Sequence, residues 1–473
     1  KNAASGFNIS TDATYTSLVR CIVMDAAHSP PTHSHGIYAD KWIGPNLISE
    51  CNFDRCGYYN QARTAADTFS RNMYLSDINN AGPTCYKGGF NTRSGNEGIQ
   101  ARNGGQIFGV MFDLNPAGSY QAKSGGRQAF CVHSRIADQL TLTPGVYDDR
   151  VWGPYINSGS DITEGSLLEM NICTPAVGTH GTFNQRSFGF GGDGTGKKHK
   201  IRNNTAVGCG PAFVSPKFVN PNYIDGTQPL VILFENNLND SNGSLKDTNF
   251  ELKIVPAAGF SWLRTITNGF YNSNSSHWGY LEVPTAYYTF ANYIILTGAF
   301  SDTSTSVPPV FVDKTVDLVR WFTDKGGSGG ESGLYTAIRD RAYNTWNAWD
   351  QWENCIPYFQ SAYRPTNKLQ RTAAFLDLEG SPVGIPEWNS NLLPTYPSSY
   401  RIASSGVADG LFGTGRKFAV VVGDSNADRG VSGSLYEQFY LLTPNLVGYW
   451  VPGELDSSVT APFSAGSDTL TNV

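Results

Sequence analysis

Short runs of apolar, β-branched and aromatic residues recur along the chain, separated by clusters of Gly, Asn, Ser, Asp and Pro. "LVRCIVMD" (18–25), "GQIFGVMFDL" (105–114), "RQAFCVHS" (127–134), "LLEMNIC" (167–173), "PLVILFE" (229–235), "NFELKIVP" (249–256), "YYTFANYIILTGAF" (287–300), "KFAVVVGD" (417–424) and "SLYEQFYLL" (434–442) all read as strands. The intervening clusters, such as "NPAGS" and "NDSNGS", read as turns. No regular helical pattern fills the gaps, so βαβ units are not expected, and the pattern predicts an antiparallel, all-β architecture.

One region departs from this. "VDKTVDLVRWFTDKGG" (312–327) predicts a short helix near 313–325, with Asp313 as N-cap and Gly326 as stop. "GGSGGESG" (326–333) reads as a flexible joint. A longer amphipathic helix is then expected over 334–355, with Leu334, Ile338, Ala342, Trp346 and Trp349 on one face. Trp346, Trp349 and Trp352 form a stripe that suits a sugar platform or, more simply, packing on a sheet. The pattern breaks near 265–285, which suggests a domain over 1–265, a second β-rich domain over 285–450 and a tail over 451–473. No internal repeat stands out.

Composition supports short strands over long surface helices. In 473 residues, only 16% are charged, 13% are aromatic, and there are 51 Gly and 25 Pro. The net charge of -6 argues against this stretch being an obvious nucleic-acid binder. The eight cysteines are spread singly apart from Cys51 and Cys56, so they read mostly as buried free thiols. Sequons begin at Asn8, Asn203, Asn239, Asn242 and Asn274. No run of about 18 apolar residues is present, so no membrane span is expected, and no signal peptide is visible.

Several motifs invite chemistry. Gly191, Gly196 and Lys197 have phosphate-loop spacing, but Lys198 stands where Ser or Thr would hold magnesium, and no apolar-faced helix follows. What remains is a glycine loop ending in the densest positive cluster of the chain: Lys197, Lys198, His199, Lys200 and Arg202. These five are the candidate contacts to nucleic-acid phosphates; a solvated basic loop is the alternative. "KFAVVVGDSNADRG" (417–430) resembles the first block of the SGNH esterases, with Ser425 as nucleophile. No His follows His277 to serve it, and the D-x-x-H of Asp25 and His28 sits at the opposite end of the chain. His28, His33 and His35 could bind a metal, although two prolines favour a loop. Glu164 with Glu169, and Asp350 with Glu353, are carboxylate pairs of the kind glycosidases use, with surface carboxylates as the default.

"VSGSLYEQFYLLTPNL" (431–446) is similar to the last shell strand of tombusvirus-like and sobemovirus-like capsid proteins, matching at Gly433, Leu435, Tyr436, Phe439, Leu441 and Pro444. "GSDITEG" (159–165), "PLVILFENNLNDSNGSLKDTNFELKIVP" (229–256) and "VDKTVDLVRWFTD" (312–324) resemble a loop, a strand pair and a helix of nodavirus-like capsids. No autocleavage junction is found, so no catalytic residue is carried over. The resemblance implies an eight-stranded antiparallel jelly roll (a β-sandwich) as shell domain, plus a second β-rich segment with a short helical insertion. It closes near residue 260 on the nodavirus-like match and near 446 on the other.

By that resemblance the chain is a non-enzymatic structural protein of a virion. It would assemble with many copies of itself and package viral nucleic acid, through a basic N-terminal arm expected outside this sequence. No cofactor is expected beyond structural calcium at subunit interfaces, with no ligand residue named; a host surface receptor is a further partner. The sequence also admits a secreted carbohydrate-binding or carbohydrate-active β-protein, motivated by the Trp stripe and the sequons, and an SGNH-like esterase using Ser425.

Overall fold

The computed structural model describes most residues between Ser5 and Asn344, together with Cys355, Tyr358, Phe359, Ala362 and Tyr363. Most positions left out within that span are in connecting segments, the longest being 217–230.

With the exception of two hairpins, successive strands do not pair with each other. Ser5–Ile9, Ser17–Val19 and Ile22–Met24 enter three different sheets, and His35–Trp42, Asn46–Ser49 and Asn52–Asp54 then stack on them in the same order. The cycle continues to Gly279–Val283. Sheets 2 and 3 each hold nine strands, every one parallel to its neighbours, and sheet 1 runs beside them. This is a parallel β-helix: each coil contributes one strand to each sheet and contacts mainly the coils above and below.

The antiparallel jelly roll is therefore overturned. Among the described residues, antiparallel pairing is confined to two hairpins, Gln139–Leu140 with Tyr147–Asp148 and Gly279–Val283 with Ala286–Tyr288. The expected strand pair in 229–256 is instead three strands, Val231–Glu235, Leu238–Asp240 and Phe250–Ile254, one in each sheet. The break expected near 265–285 falls inside the last coil, where Leu263–Ile266, Gly269–Tyr271 and Gly279–Val283 continue the same sheets.

Inward side chains stack in columns. In sheet 1 one such column holds Ala39, Leu75 and Ala101 and, one coil further on, Ile156, Phe190, Val214, Leu252 and Leu281 in register. All of its apolar members are buried. Each large apolar side chain so buried contributes roughly 1.5–3 kcal/mol.

Many of the expected single strands are pairs of short ones, because the chain turns a corner within them. "RQAFCVHS" splits into Arg127–Ala129 and Val132–Ser134 around Phe130, whose φ is 57°. Met170 (56°) divides "LLEMNIC", and Gly109 (59°) divides "GQIFGVMFDL". One left-handed residue between sheets 2 and 3 supplies the bend, whether or not it is Gly.

"YYTFANYIILTGAF" contains a helix rather than a strand. Helix α1 (Phe290–Thr297) packs at the C-terminal end of the solenoid, with Tyr293 fully buried against Trp278 and Phe250. Covering the last coil outweighs the strand propensity of its aromatic and β-branched residues.

Helix α2 (Leu318–Asp324) starts later than expected. Asp317 caps it, accepting from the Arg320 N–H at 2.8 Å, while Asp313 accepts from the N–H of Thr315 in the preceding turn. Gly326, at φ 87°, ends it as expected. Helix α3 (Gly330–Asn344) begins inside the stretch read as a flexible joint. Its Leu334 and Ile338 are buried, as the pattern required, and the Trp stripe lies outside the described residues.

Candidate functional site

The corner between sheets 3 and 1 carries a column of left-handed residues, one per coil: Asp25 (φ 60°), Arg55 (56°), Arg93 (48°), Leu114 (51°) and Arg135 (49°). Backbone hydrogen bonds lock it. Asp25 donates to the Asp54 carbonyl at 3.0 Å, Arg55 to Thr92 at 3.1 Å, Arg93 to Asp113 at 2.9 Å and Leu114 to Ser134 at 3.2 Å. Neighbouring coils lie about 4.8 Å apart, so Arg55 and Arg93 present their guanidiniums side by side.

Two longer connections rise on either side of this corner. The segment after Asp54 brings Tyr58, Ala62 and Arg63, and the hairpin around Gln139–Asp148 brings Leu140, Gly145 and Tyr147. The connections are tied together by Gly145 N–H to the Thr64 carbonyl (2.9 Å) and Ala66 N–H to the Thr141 carbonyl (2.8 Å). Between them lies a cleft of about 490 Å³, whose lining includes Arg55, Arg63 and Arg93, one carboxylate, Asp138, and the apolar Leu114, Pro116, Leu140, Tyr147 and Val177. Tyr147 and Val177 are 40% and 49% exposed, so an apolar surface faces solvent beside the cations. Beneath the floor, Asn72 donates to Asn91 Oδ1 (2.7 Å), and the N–H of Ser94 donates to Asn115 Oδ1 (2.8 Å).

The charges are not balanced. Asp25 receives Arg63 at 2.6 Å, Arg339 of helix α3 at 3.0 Å and Arg55 at 3.9 Å. The fully buried Asp54 receives Arg93 at 2.6 Å and Arg339 at 2.5 Å. Four guanidiniums thus surround two carboxylates. Burial works against ionisation of Asp25, but the surrounding arginines, Arg339 foremost, hold its carboxyl below the usual range. Burial, reinforced by the nearby Arg63 and Arg93, lowers Arg55 from its ordinary value; a guanidinium still stays protonated at neutral pH.

The five basic residues singled out in the sequence do not assemble into this site. Lys197 lies outside the described residues. Lys198, His199, Lys200 and Arg202 belong to the sheet 2 strand Lys198–Arg202. His199 is buried, packs against Phe190 at 5.0 Å and accepts the Ser166 N–H through Nδ1 (3.1 Å). Burial lowers its pKa to about 3. Arg202 is buried against Glu169 at 2.7 Å. Alternation along the strand turns His199 inward with Ile201, while Arg202, on the opposite face, is covered through its pairing with Glu169 on the neighbouring coil.

The other motifs disperse as well. His35 is buried against Tyr38, while His33 faces the Tyr59 hydroxyl at 3.2 Å. Among the described residues, no three His, Cys, Asp or Glu side chains gather in a metal-binding group. Asn203 and Asn239 of the sequons are buried. The seven described cysteines are free thiols, six of them buried. Ser425, Asp350, Glu353 and the shell-strand motif at 431–446 lie outside the described residues. No described helix is long and apolar enough to cross a membrane.

The arginine corner has a faint sequence signal. "FDRCG" (53–57), "NTRSG" (91–95), "FDLNP" (112–116) and "HSRIA" (133–137) occupy equivalent positions in successive coils. Their spacing varies with the loops between them, which hides the repeat. The chain matches no protein-family profile, no curated protein and no solved structure.

Proposed function

We propose that the protein binds an acidic carbohydrate polymer in the cleft at its arginine corner. The observation that carries this reading is the excess of positive charge there: Arg55, Arg63, Arg93 and Arg339 gather around Asp25 and Asp54, and three of the four line an open cleft in which Asp138 is the one acidic lining residue among those described. Carboxylate or sulfate groups on sugars suit the planar, forked guanidinium, which pairs with them bidentately. Tyr147, Val177 and Leu140 supply an apolar wall for the C–H face of a sugar ring. Stacked coils repeat the corner at a fixed rise, which suits an extended, repeating ligand. The net charge of -6 opposes a long, densely charged strand such as nucleic acid and favours a polymer with spaced charges.

The reading is one of binding, with no reaction assigned. It takes up the carbohydrate alternative raised by the sequence, on different residues. The jelly roll that the capsid resemblance implied is overturned by the parallel coils.

Calorimetric titration tests the proposal, with oligogalacturonate and a sulfated oligosaccharide as acidic probes and a neutral glucan as control. Acidic probes are expected to bind with an affinity that weakens as salt rises. The Arg55→Ala/Arg63→Ala double variant is expected to lose at least tenfold in affinity. Equal binding of the neutral glucan, or none of any acidic probe, overturns it. Assay for new reducing ends shows whether binding leads to cleavage.

A further inference from the structure

Helix α3 does not line the cleft, yet its contacts reach every cleft arginine through a shared partner. Glu331, Tyr335 and Arg339 recur at four-residue spacing on the face that meets sheet 3. Arg339 spans two coils, donating to Asp54 through Nε (2.5 Å) and to Asp25 through both terminal nitrogens (3.1 and 3.0 Å). These are the carboxylates that otherwise hold Arg93, Arg63 and Arg55. The Tyr335 ring lies under the Arg93 guanidinium at 3.6 Å, and its hydroxyl bonds to Asp113 and Arg135. Glu331 anchors the start of the helix to Arg135 at 2.5 Å.

We infer that Arg339 and Tyr335 are positioning residues of the cleft, and that docking of helix α3 and binding of an acidic glycan stabilise each other. This rests on the reading of the cleft given above. With the helix docked, Arg339 satisfies part of Asp25 and Asp54 and leaves the cleft guanidiniums less neutralised. With the helix away, the same two carboxylates have only Arg55, Arg63 and Arg93 to pair with, and they draw them back from the cleft. Tyr335 holds the face of Arg93, so its fork stays aligned with Asp54 on one edge. Any preference of ligand for the docked state must appear equally as a preference of the docked state for ligand.

Two measurements on the full chain decide it. Hydrogen exchange of the amides in 331–344 of the wild type is followed with and without saturating oligogalacturonate; about tenfold slower exchange is expected in its presence. Arg339→Gln is then expected to weaken oligogalacturonate binding about fivefold or more and to flatten its dependence on salt. Arg339→Lys should restore the salt dependence but only part of the affinity, since one ammonium lacks the fork that bridges both carboxylates. A purely structural role would lower the melting temperature of Arg339→Gln and leave affinity and salt dependence of the folded protein unchanged; that result overturns the inference. If Arg339→Gln does not fold, unchanged exchange in the wild type overturns it. A wild type that binds the probe without either effect sinks the helix's role alone, whereas a wild type that binds no acidic probe sinks the cleft reading with it.

Discussion

The two halves of the solenoid use the same corners differently. In the C-terminal half, the position just inside the corner between sheets 2 and 3 is Asn171, Asn204, Asn237 and Asn268 in successive coils. Each backbone N–H from Asn171 to Asn237 donates to the next side-chain Oδ1, at 3.0–3.1 Å. Each of these side-chain amides also donates to its neighbour's Oδ1 at 2.9–3.0 Å. In the N-terminal half, the same column holds Cys51, Gly89, Val110 and Cys131, with no amide ladder, and the buried Glu50 sits at that corner. Positive charge gathers at the corner between sheets 3 and 1, as Arg55, Arg93 and Arg135 in line with Asp25. The equivalent positions of the later coils are Pro175, Gly208, Ser241 and Asn272. One half lines its corner with asparagines that bond to one another from coil to coil. The other places excess charge at its surface, where loops and helix α3 shape it into a site.

The broadest effect should ignore this division, because each half buries one histidine whose pKa is lowered by burial to about 3, His133 and His199. In the unfolded chain both titrate near 6.5. Their contribution is therefore complete above about pH 6.5 and is lost as pH falls towards 3, the unfolded state taking up protons first. From pH 7 to pH 4 the loss is about 3 kcal/mol per histidine. The lowered Asp25 acts in the same direction at lower pH. Denaturant titrations across this range should show the decline; a flat profile would falsify the buried, neutral assignment.

Asn204→Leu attacks the asparagine-lined half. The side chain is buried, donates to the Leu168 carbonyl at 2.9 Å and accepts from Asn171. Its loss strands partners on both neighbouring coils and is expected to cost about 3–5 kcal/mol. Chemical denaturation measures this, and cleft binding by the folded fraction should be unchanged. Asp54→Asn strikes the charged half, removing the carboxylate shared by Arg93 and Arg339. The expected cost is about 3 kcal/mol, with faster hydrogen exchange in helix α3. Smallest in stability is Arg55→Gly: the residue sits at φ 56°, where Gly is at ease, and its nearest carboxylate is 3.9 Å away. Melting should stay within about 1 kcal/mol of wild type or rise slightly, while affinity for acidic glycans falls. A large loss of stability would mean the arginine corner holds the fold together rather than serving a ligand.

The β-rich character, the short strand length, the apolar stripe of helix α3 and the free thiols were all written in local composition and spacing. So were the core positions: Ile156, Phe190, Val214, Leu252 and Leu281 stand in strand-like runs because any strand of this fold must bury one side chain in two. Strand partnership was not. An antiparallel sandwich and a parallel solenoid demand the same alternation and the same turn residues, and they differ only in which segment lies beside which. The 33-, 33- and 31-residue steps of the asparagine ladder carried that information, but a lone Asn every coil is a weak signal amid so many. The site was still less legible. Arg55, Arg63, Arg93 and Arg339 are scattered across the sequence, each in an ordinary loop or helix, while the dense basic run at 197–202 drew the eye and then folded partly inside. Charge density along a chain is local, but electrostatic potential depends on distance in space, and only the stacking of coils under helix α3 brings these four cations around two carboxylates.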